Sequence, residues 1–478
     1  MRLLGDVDWR HIERRGRFSA GGEEAHWIMR TSTLQPVPAM MKFRTGCRST
    51  WGAFVVLSVL ATPAFAQPQP TALTTLTALT QSEQPKLLDT LKSLVNIETG
   101  STHRDGLDTC AQFIAERLNA LGGSVEIIEA APEDIYKLEG LPDRIGRAVK
   151  ATFKGTGSKR ILLIAHMDTV YPPGMLSQQP FRVDGERAYG LGIADDKQGV
   201  AVILHVVSLL KALNARDYGT LTVLINGDEE ISSPASRKLI TKEGAAHDAV
   251  LSFEASRVDS DKVSLATSGI AMATMTVKGK SSHAGGAPER GVNSLYELSH
   301  QVLNLRDLSD PKVGLKMNWT VANAGVVRNM IPPGAQAWAD IRILRVADLN
   351  ALELRVNERI KNKLLPESSV SVAFENRRPP LEATAASRAL AAHAQTIYRE
   401  LGKTLVVDAE PEGGGTDAAF AALNTKAPVI ERFGLQGFGA HSTDAEYVLI
   451  NSIQPRLYLA TRMVMDIASA IAPVAGVQ

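Results

Sequence analysis

The chain has 478 residues, 44% of them hydrophobic and 22% charged, with a formal net charge of +1 and two cysteines. That length suits two or three domains with full cores, and the near-even charge offers no basic face for nucleic acid. Residues 1–66 hold 9 of the basic and 5 of the acidic residues, so the remainder carries a formal charge of −3.

From the N-terminus, residues 1–40 are polar without apolar periodicity and read as a mis-assigned leader, the true start being expected at Met40 or Met41. Residues 41–66 read as a signal peptide. Lys42, Arg44 and Arg48 form a basic head, Trp51 to Ala61 is too short to span a membrane, and Ala64-Phe65-Ala66 is an A-x-A cleavage site. A periplasmic or secreted protein is expected, with no membrane attachment after cleavage. Cys47 falls inside the signal, which leaves Cys110 as the single thiol of the mature chain and rules out an internal disulfide. Cys110 shares a helical stripe with Leu107, Ile114, Leu118 and Leu121, which predicts a small buried side chain.

Helices are predicted across residues 84–122, closed by Gly122-Gly123, with strands following at Val125–Ile128 and Ala148–Phe153. Three further apolar runs each stop on a residue that binds metal. Ile161 to Ala165 leads into His166 and Asp168, Leu221 to Ile225 into Glu229-Glu230, and Ala249 to Phe253 into Glu254. Runs rich in Val, Ile and Leu suit strands buried on both faces, as in a parallel sheet. The carboxyl ends of such strands line the ligand crevice. Between them, residues 197–213 form a helix preceded by Gly190-Leu-Gly192-Ile-Ala-Asp195-Asp196, a glycine pair that lacks the third glycine of a dinucleotide fingerprint.

From about residue 268 the pattern changes to strand (271–277), helix (292–305), strands (316–323 and 336–344), helix (349–360, with Asp348 as N-cap) and strand (371–375). That β-α-β-β-α-β order is ferredoxin-like. Pro379-Pro380 closes the unit, and a helix at 385–400 resumes the α/β pattern. The expected architecture is a mixed, mainly parallel α/β sheet with helices on both faces (67–267 and 381–478), interrupted by an inserted domain (268–380).

A two-metal centre with a bridging carboxylate needs five protein ligands, and His166, Asp195, Glu230, Glu254 and His441 supply them. Asp168 is placed to accept the other N–H of His166, an arrangement that orients a ligating imidazole. Glu229 adjoins a ligand without being needed as one, which suits a general base. Taken singly, Asp228-Glu229-Glu230 reads as a solvated turn, His166 as a core histidine, Asp195-Asp196 as a helix cap and His441 as a loop residue. Solvated acids, however, have no reason to end three buried strands.

These motifs, with Ser282-His283-Ala284-Gly285, Gly414-Gly-Thr416-Asp417 and Gly439-Ala-His441-Ser442, resemble the di-zinc exopeptidase family of aminoacylases, acetylornithine deacetylases, succinyl-diaminopimelate desuccinylases and glutamate carboxypeptidases. The secreted, folate-cleaving glutamate carboxypeptidases are the most similar branch, and the likeness runs from about residue 80 to 470. It implies two Zn2+ per chain, one on His166, Asp195 and Glu254 and the other on Glu230, Asp195 and His441, with a cis peptide between Asp195 and Asp196. It makes Glu229 the base for a hydroxide bridging the metals, and the inserted unit a lid and homodimerisation domain. His283 would then stabilise the oxyanion, in several members from the partner subunit, and Asn329 would face the substrate. Arg342, which alternation places on the same sheet face as Asp340, is the candidate clamp for a substrate carboxylate, with Arg378 and Thr416 as further candidates. The expected function is hydrolysis of the amide bond to a C-terminal glutamate in a small or peptide-like substrate. The alternatives are an N-acyl-amino-acid deacylase and a catalytically silent binding protein, the latter opposed by the intact ligand set.

Overall fold

The computed structural model describes residues 70–411, 414–442 and 445–474. The leader and signal readings and Cys47 lie outside them. Helix α1 (Pro70–Val95) buries Leu87, Leu91 and Leu94, and α2 (Arg104–Ala120) buries Leu107, Cys110, Ile114 and Leu118. Strands β1 (Ser124–Ile128), β2 (Ala148–Lys154) and β3 (Arg160–His166) follow, then α3 (Gln198–Ala212), β4 (Thr220–Asn226), α4 (Arg237–Ala246) and β5 (Ala249–Ser252).

The next stretch runs β6 (Gly269–Lys278), α5 (Ser294–Asn304), β7 (Lys316–Ala324), β8 (Gly334–Ile343), α6 (Val346–Arg359) and β9 (Ser369–Arg378), the β-α-β-β-α-β order read from the sequence. Its antiparallel sheet has the order β7-β8-β6-β9. Alternation turns Ala271, Ala273, Met275 and Val277 of β6 to one sheet face, where they share a core with Leu298 and Leu305 and with Leu349, Leu352 and Val356 of α6. One expectation fails here. Asp348 is not the N-cap of α6; that position is Arg345, whose guanidinium pairs with Asp348 at 2.8 Å in the first turn. An acid there serves the helix dipole equally well.

The chain closes with α7 (Ala385–Glu400), α8 (Asp417–Ala422), β10 (Val429–Ile430) and α9 (Ile453–Ala468). The main sheet has the order β1-β2-β4-β3-β5-β10, with β4, β3, β5 and β10 parallel and β1 and β2 antiparallel at one edge. Alternate residues of β3 serve two cores. Ile161, Leu163 and Ala165 pack with the leucines of α1 and α2 and with α3 and α9, while Leu162 and Ile164 pack with Ile240 of α4 and residues 418–421 of α8. Helices therefore cover both faces, and the parallel strands end together: His166 pairs with Asn226, and Ile164 with Ser252. Among the described residues no helix is long and apolar enough to cross a membrane.

Candidate metal centre

The level strand ends bring their polar residues to one place. Two donor groups gather there, each with its ligand atoms within 4.8 Å of one another: His166, Asp196 and Glu254, and Asp195, Glu230 and His441. Asp195 links them. Its Oδ1 lies 3.0 Å from His166 Nε2, and its Oδ2 lies 3.4 Å from His441 Nε2. Glu254 Oε1 is 3.3 Å from His166 Nε2, and Glu230 Oε2 is 3.1 Å from His441 Nε2. The peptide bond between Asp195 and Asp196 is cis, as the resemblance implied. Asp196, read from sequence only as a possible cap, accepts the Gly199 amide at 3.2 Å as a cap does, yet its carboxylate also belongs to the first donor group.

The donor set fits divalent metals. Glu230 Oε1 is buried with no hydrogen-bond partner, and one imidazole nitrogen is shared by two carboxylates. Burial opposes charge on His166, but Glu254, Asp168 and Asp195 hold its pKa well above the ordinary value. Burial and the charge of Asp195 push Glu230 up to about 7, and hydrogen bonds to Asp195 and Glu230 raise His441 to about 11. Acids forced upward by each other's charge are relieved by a bound cation. The imidazole and carboxylate donors, in two groups joined by one carboxylate, match the composition of zinc sites.

Asp168 organises the centre. It is fully buried and accepts the backbone N–H of Glu229 at 2.9 Å, that of Glu230 at 3.0 Å and the Ser101 hydroxyl at 2.8 Å. His166 Nδ1 lies 3.1 Å from its carbonyl oxygen and 3.3 Å from its carboxylate. The residue thus orients both the imidazole and the glutamate pair, a wider part than the sequence suggested. Glu229 itself is buried, which pushes its carboxyl well above the usual range against the pull of Arg378.

A cavity of about 600 Å³ opens over these groups, lined by Asp195, Glu229, Glu230, Glu254 and His441, and by Arg342, Arg378 and Thr416. Arg342 grips Asp340 through two 3.0 Å hydrogen bonds on the sheet face that alternation assigned to both. Arg378 reaches Glu229 Oε1 at 2.7 Å and Asp417 Oδ1 at 3.2 Å, and donates to the Glu229 carbonyl. It passes over Gly415, where a Cβ would stand 2.3 Å from its Cδ, so the motif glycine makes room for the arginine. Thr416 caps α8 through the Ala418 amide. His283 and Asn329 are not among the cavity-lining residues. They sit together on an exposed loop pair of the antiparallel unit, where the Ala284 amide donates to the Asn329 carbonyl at 2.9 Å.

Two acids escaped the sequence reading. Glu446 accepts the amides of Gly192, Ala194 and Asp195 at 2.9, 2.9 and 3.1 Å and so positions the linking aspartate. Glu431 lines the cavity, and burial and the charge of Glu254 push it up to about 8. Neither ends a predicted apolar run in a recognisable motif.

The model of "Peptidase family M20/M25/M40" matches residues 162–466. Carboxypeptidase G2 of Pseudomonas sp. (strain RS-16) is 47% identical over 387 residues, 81% of this chain and 90% of that protein. Succinyl-diaminopimelate desuccinylase of Gluconobacter oxydans is 26% identical over 325 residues, 64% of this chain and 81% of that one. The crystal structure of aminopeptidase PepT from Bacillus cereus shares the fold, with a TM-score of 0.66 at 20% identity over 80% of this chain and 99% of that one. The matched region contains both donor groups and Glu229, and the chain belongs to peptidase family M20/M25/M40, a family of metal-dependent peptidases.

Proposed function

We infer that this chain is an exported di-zinc carboxypeptidase that hydrolyses the amide bond to a C-terminal glutamate, with N-acyl-glutamates and folate-type pteroyl-glutamates as substrates. The observation that carries this reading is the Asp195 carboxylate, one oxygen toward each donor group, with Glu229, Arg342 and Arg378 lining the same cavity. The relationship to a carboxypeptidase over most of both chains supports it.

His166, Asp195 and Glu254 would hold one zinc, and Glu230, Asp195 and His441 the other. When bound, the pair polarises the scissile carbonyl and a water molecule. Glu229 takes the proton of the attacking water and delivers it to the leaving amine nitrogen. Asp168 fixes the backbone of that glutamate, and Arg378 fixes its carboxylate. Arg342 is the clamp for the substrate's C-terminal carboxylate, sharing its fork with Asp340. The acyl portion would lie toward Arg257 and the half-exposed Phe438.

The unit at 268–380 is read as lid and dimerisation domain. His283 and Asn329 stand outside their own chain's cavity, on a face with exposed Tyr296, Val326 and Val327. A second copy of the chain would cover that apolar surface and carry His283 to the partner's oxyanion.

Kinetics on matched N-acyl-Glu, -Asp, -Ala and -Leu substrates test the reading. Glutamate is expected to lead in kcat/KM, and Arg342→Lys to lower that value while zinc stays bound, since lysine keeps the charge but loses the fork. A preference for alanine or leucine would make the chain a general N-acyl-amino-acid deacylase.

A further inference from the structure

We propose that Arg237 is a positioning residue for the reaction, tying the turn that bears Glu229 to the end of β9 so that the base keeps its place in the cavity. The proposal rests on the assignment of Glu229 as general base.

Arg237 opens α4 and is 8% exposed. Its guanidinium donates to four backbone carbonyls on two sides. Ser232 at 2.6 Å and Ser233 at 3.4 Å belong to the turn after Glu229; Arg377 at 2.9 Å and Asn376 at 3.2 Å belong to the end of β9. Two rings close on the group, with centroids 4.0 Å (Tyr136) and 4.8 Å (Phe420) from its central carbon. A planar cation satisfies both demands at once: it fans N–H groups in its plane and stacks aromatic faces above and below.

The turn it holds needs holding. Ser232 and Ser233 have φ of 72° and 53°, consecutive left-handed residues without glycine, a conformation that persists where its surroundings enforce it. The Ser232 amide donates to the Glu229 carbonyl at 2.8 Å, so a displaced Ser232 displaces Glu229. Arg378 makes the reverse link, reaching from the end of β9 to the carbonyl and carboxylate of Glu229. Two arginines therefore cross between the same two segments in opposite directions. Burial lowers the pKa of Arg237 to about 10, which leaves it charged at neutral pH.

The test uses the zinc-loaded full-length mature enzyme. Arg237→Lys keeps the charge and loses the fork and the stacking plane. Its kcat is expected to fall about tenfold or more, with KM within about twofold and zinc content unchanged, the signature of an interaction used in the transition state. Tyr136→Leu removes one stacking face at a partly exposed site and is expected to lower kcat in the same sense, which keeps the proposal testable should Arg237→Lys fail to fold. In a Glu229→Gln background, Arg237→Lys is expected to change the residual rate by less than about twofold, because its effect runs through the missing base. An equal fold-loss in both backgrounds, or unchanged kcat in both Arg237→Lys and Tyr136→Leu while Glu229→Gln is inactive, overturns the link and leaves the base assignment standing. A fully active Glu229→Gln enzyme overturns the base assignment and this proposal with it.

Discussion

Arg378 Nη1 stands 2.7 Å from Glu229 Oε1, with both side chains more than nine-tenths buried. A guanidinium from the end of β9 thus holds the carboxylate proposed to move protons. Glu229→Gln keeps the shape, removes the base and leaves Arg378 its contact with Asp417. The variant is expected to retain both metals and lose about 10²–10⁴-fold in kcat, read by single-turnover kinetics beside metal analysis. Loss of zinc from this variant would make Glu229 a ligand instead.

His283 lies outside its own chain's cavity, which makes its role testable by mixing. His283→Ala and Glu229→Gln are each expected to be nearly inactive. After subunit exchange at equal amounts, half the molecules are mixed dimers with one complete site, and about a quarter of the wild-type activity returns if the histidine acts across a two-fold interface. Absence of any recovery between variants shown to exchange would place His283 in its own chain's site or in none.

A pH effect on stability follows from a pair far from the metal donors. His205 is buried between α1 and α3, its Nδ1 2.8 Å from Glu83 and its Nε2 2.9 Å from Thr90. Burial holds this imidazole below its ordinary value, against the pull of Glu83. Burial opposes charge on Glu83 too, but its hydrogen bonds to Lys86 and His205 leave it lowered. Both folded values are depressed, so the unfolded chain binds protons first as the pH falls. The contribution of His205 is complete above about pH 6.5, its unfolded value, and that of Glu83 above about 4.3; each is lost as pH falls through the folded value. The Tm of the zinc-loaded enzyme should drop between about pH 7 and 5, and His205→Gln should flatten that slope. An identical slope in the variant would remove His205 from the account.

The sequence made the strand-end residues legible because each apolar run stops where the sheet stops, and β3, β4 and β5 stop level. His166, Glu229, Glu230 and Glu254 could be placed that way. Asp195 and His441 needed the family motifs, since neither follows a strand of the main sheet. Glu446 was out of reach: it serves amides some 250 positions earlier, a pairing set by tertiary closure. Arg237 was invisible for another reason, because its partners are backbone carbonyls, which carry no residue identity. The Asp348 cap was misjudged because an acid in a first turn and an acid at an N-cap leave the same mark on a sequence.

The central claim is that one carboxylate, Asp195, joins two metal sites. Metal analysis of the purified mature enzyme, with catalytic activity measured on the same samples during stepwise zinc loading, tests it most directly. Two zinc ions per chain are expected in the wild type, and Asp195→Ala is expected to lose affinity at both sites together. Full activity at one zinc per chain, or an Asp195→Ala enzyme that keeps both ions, would contradict the bridged centre.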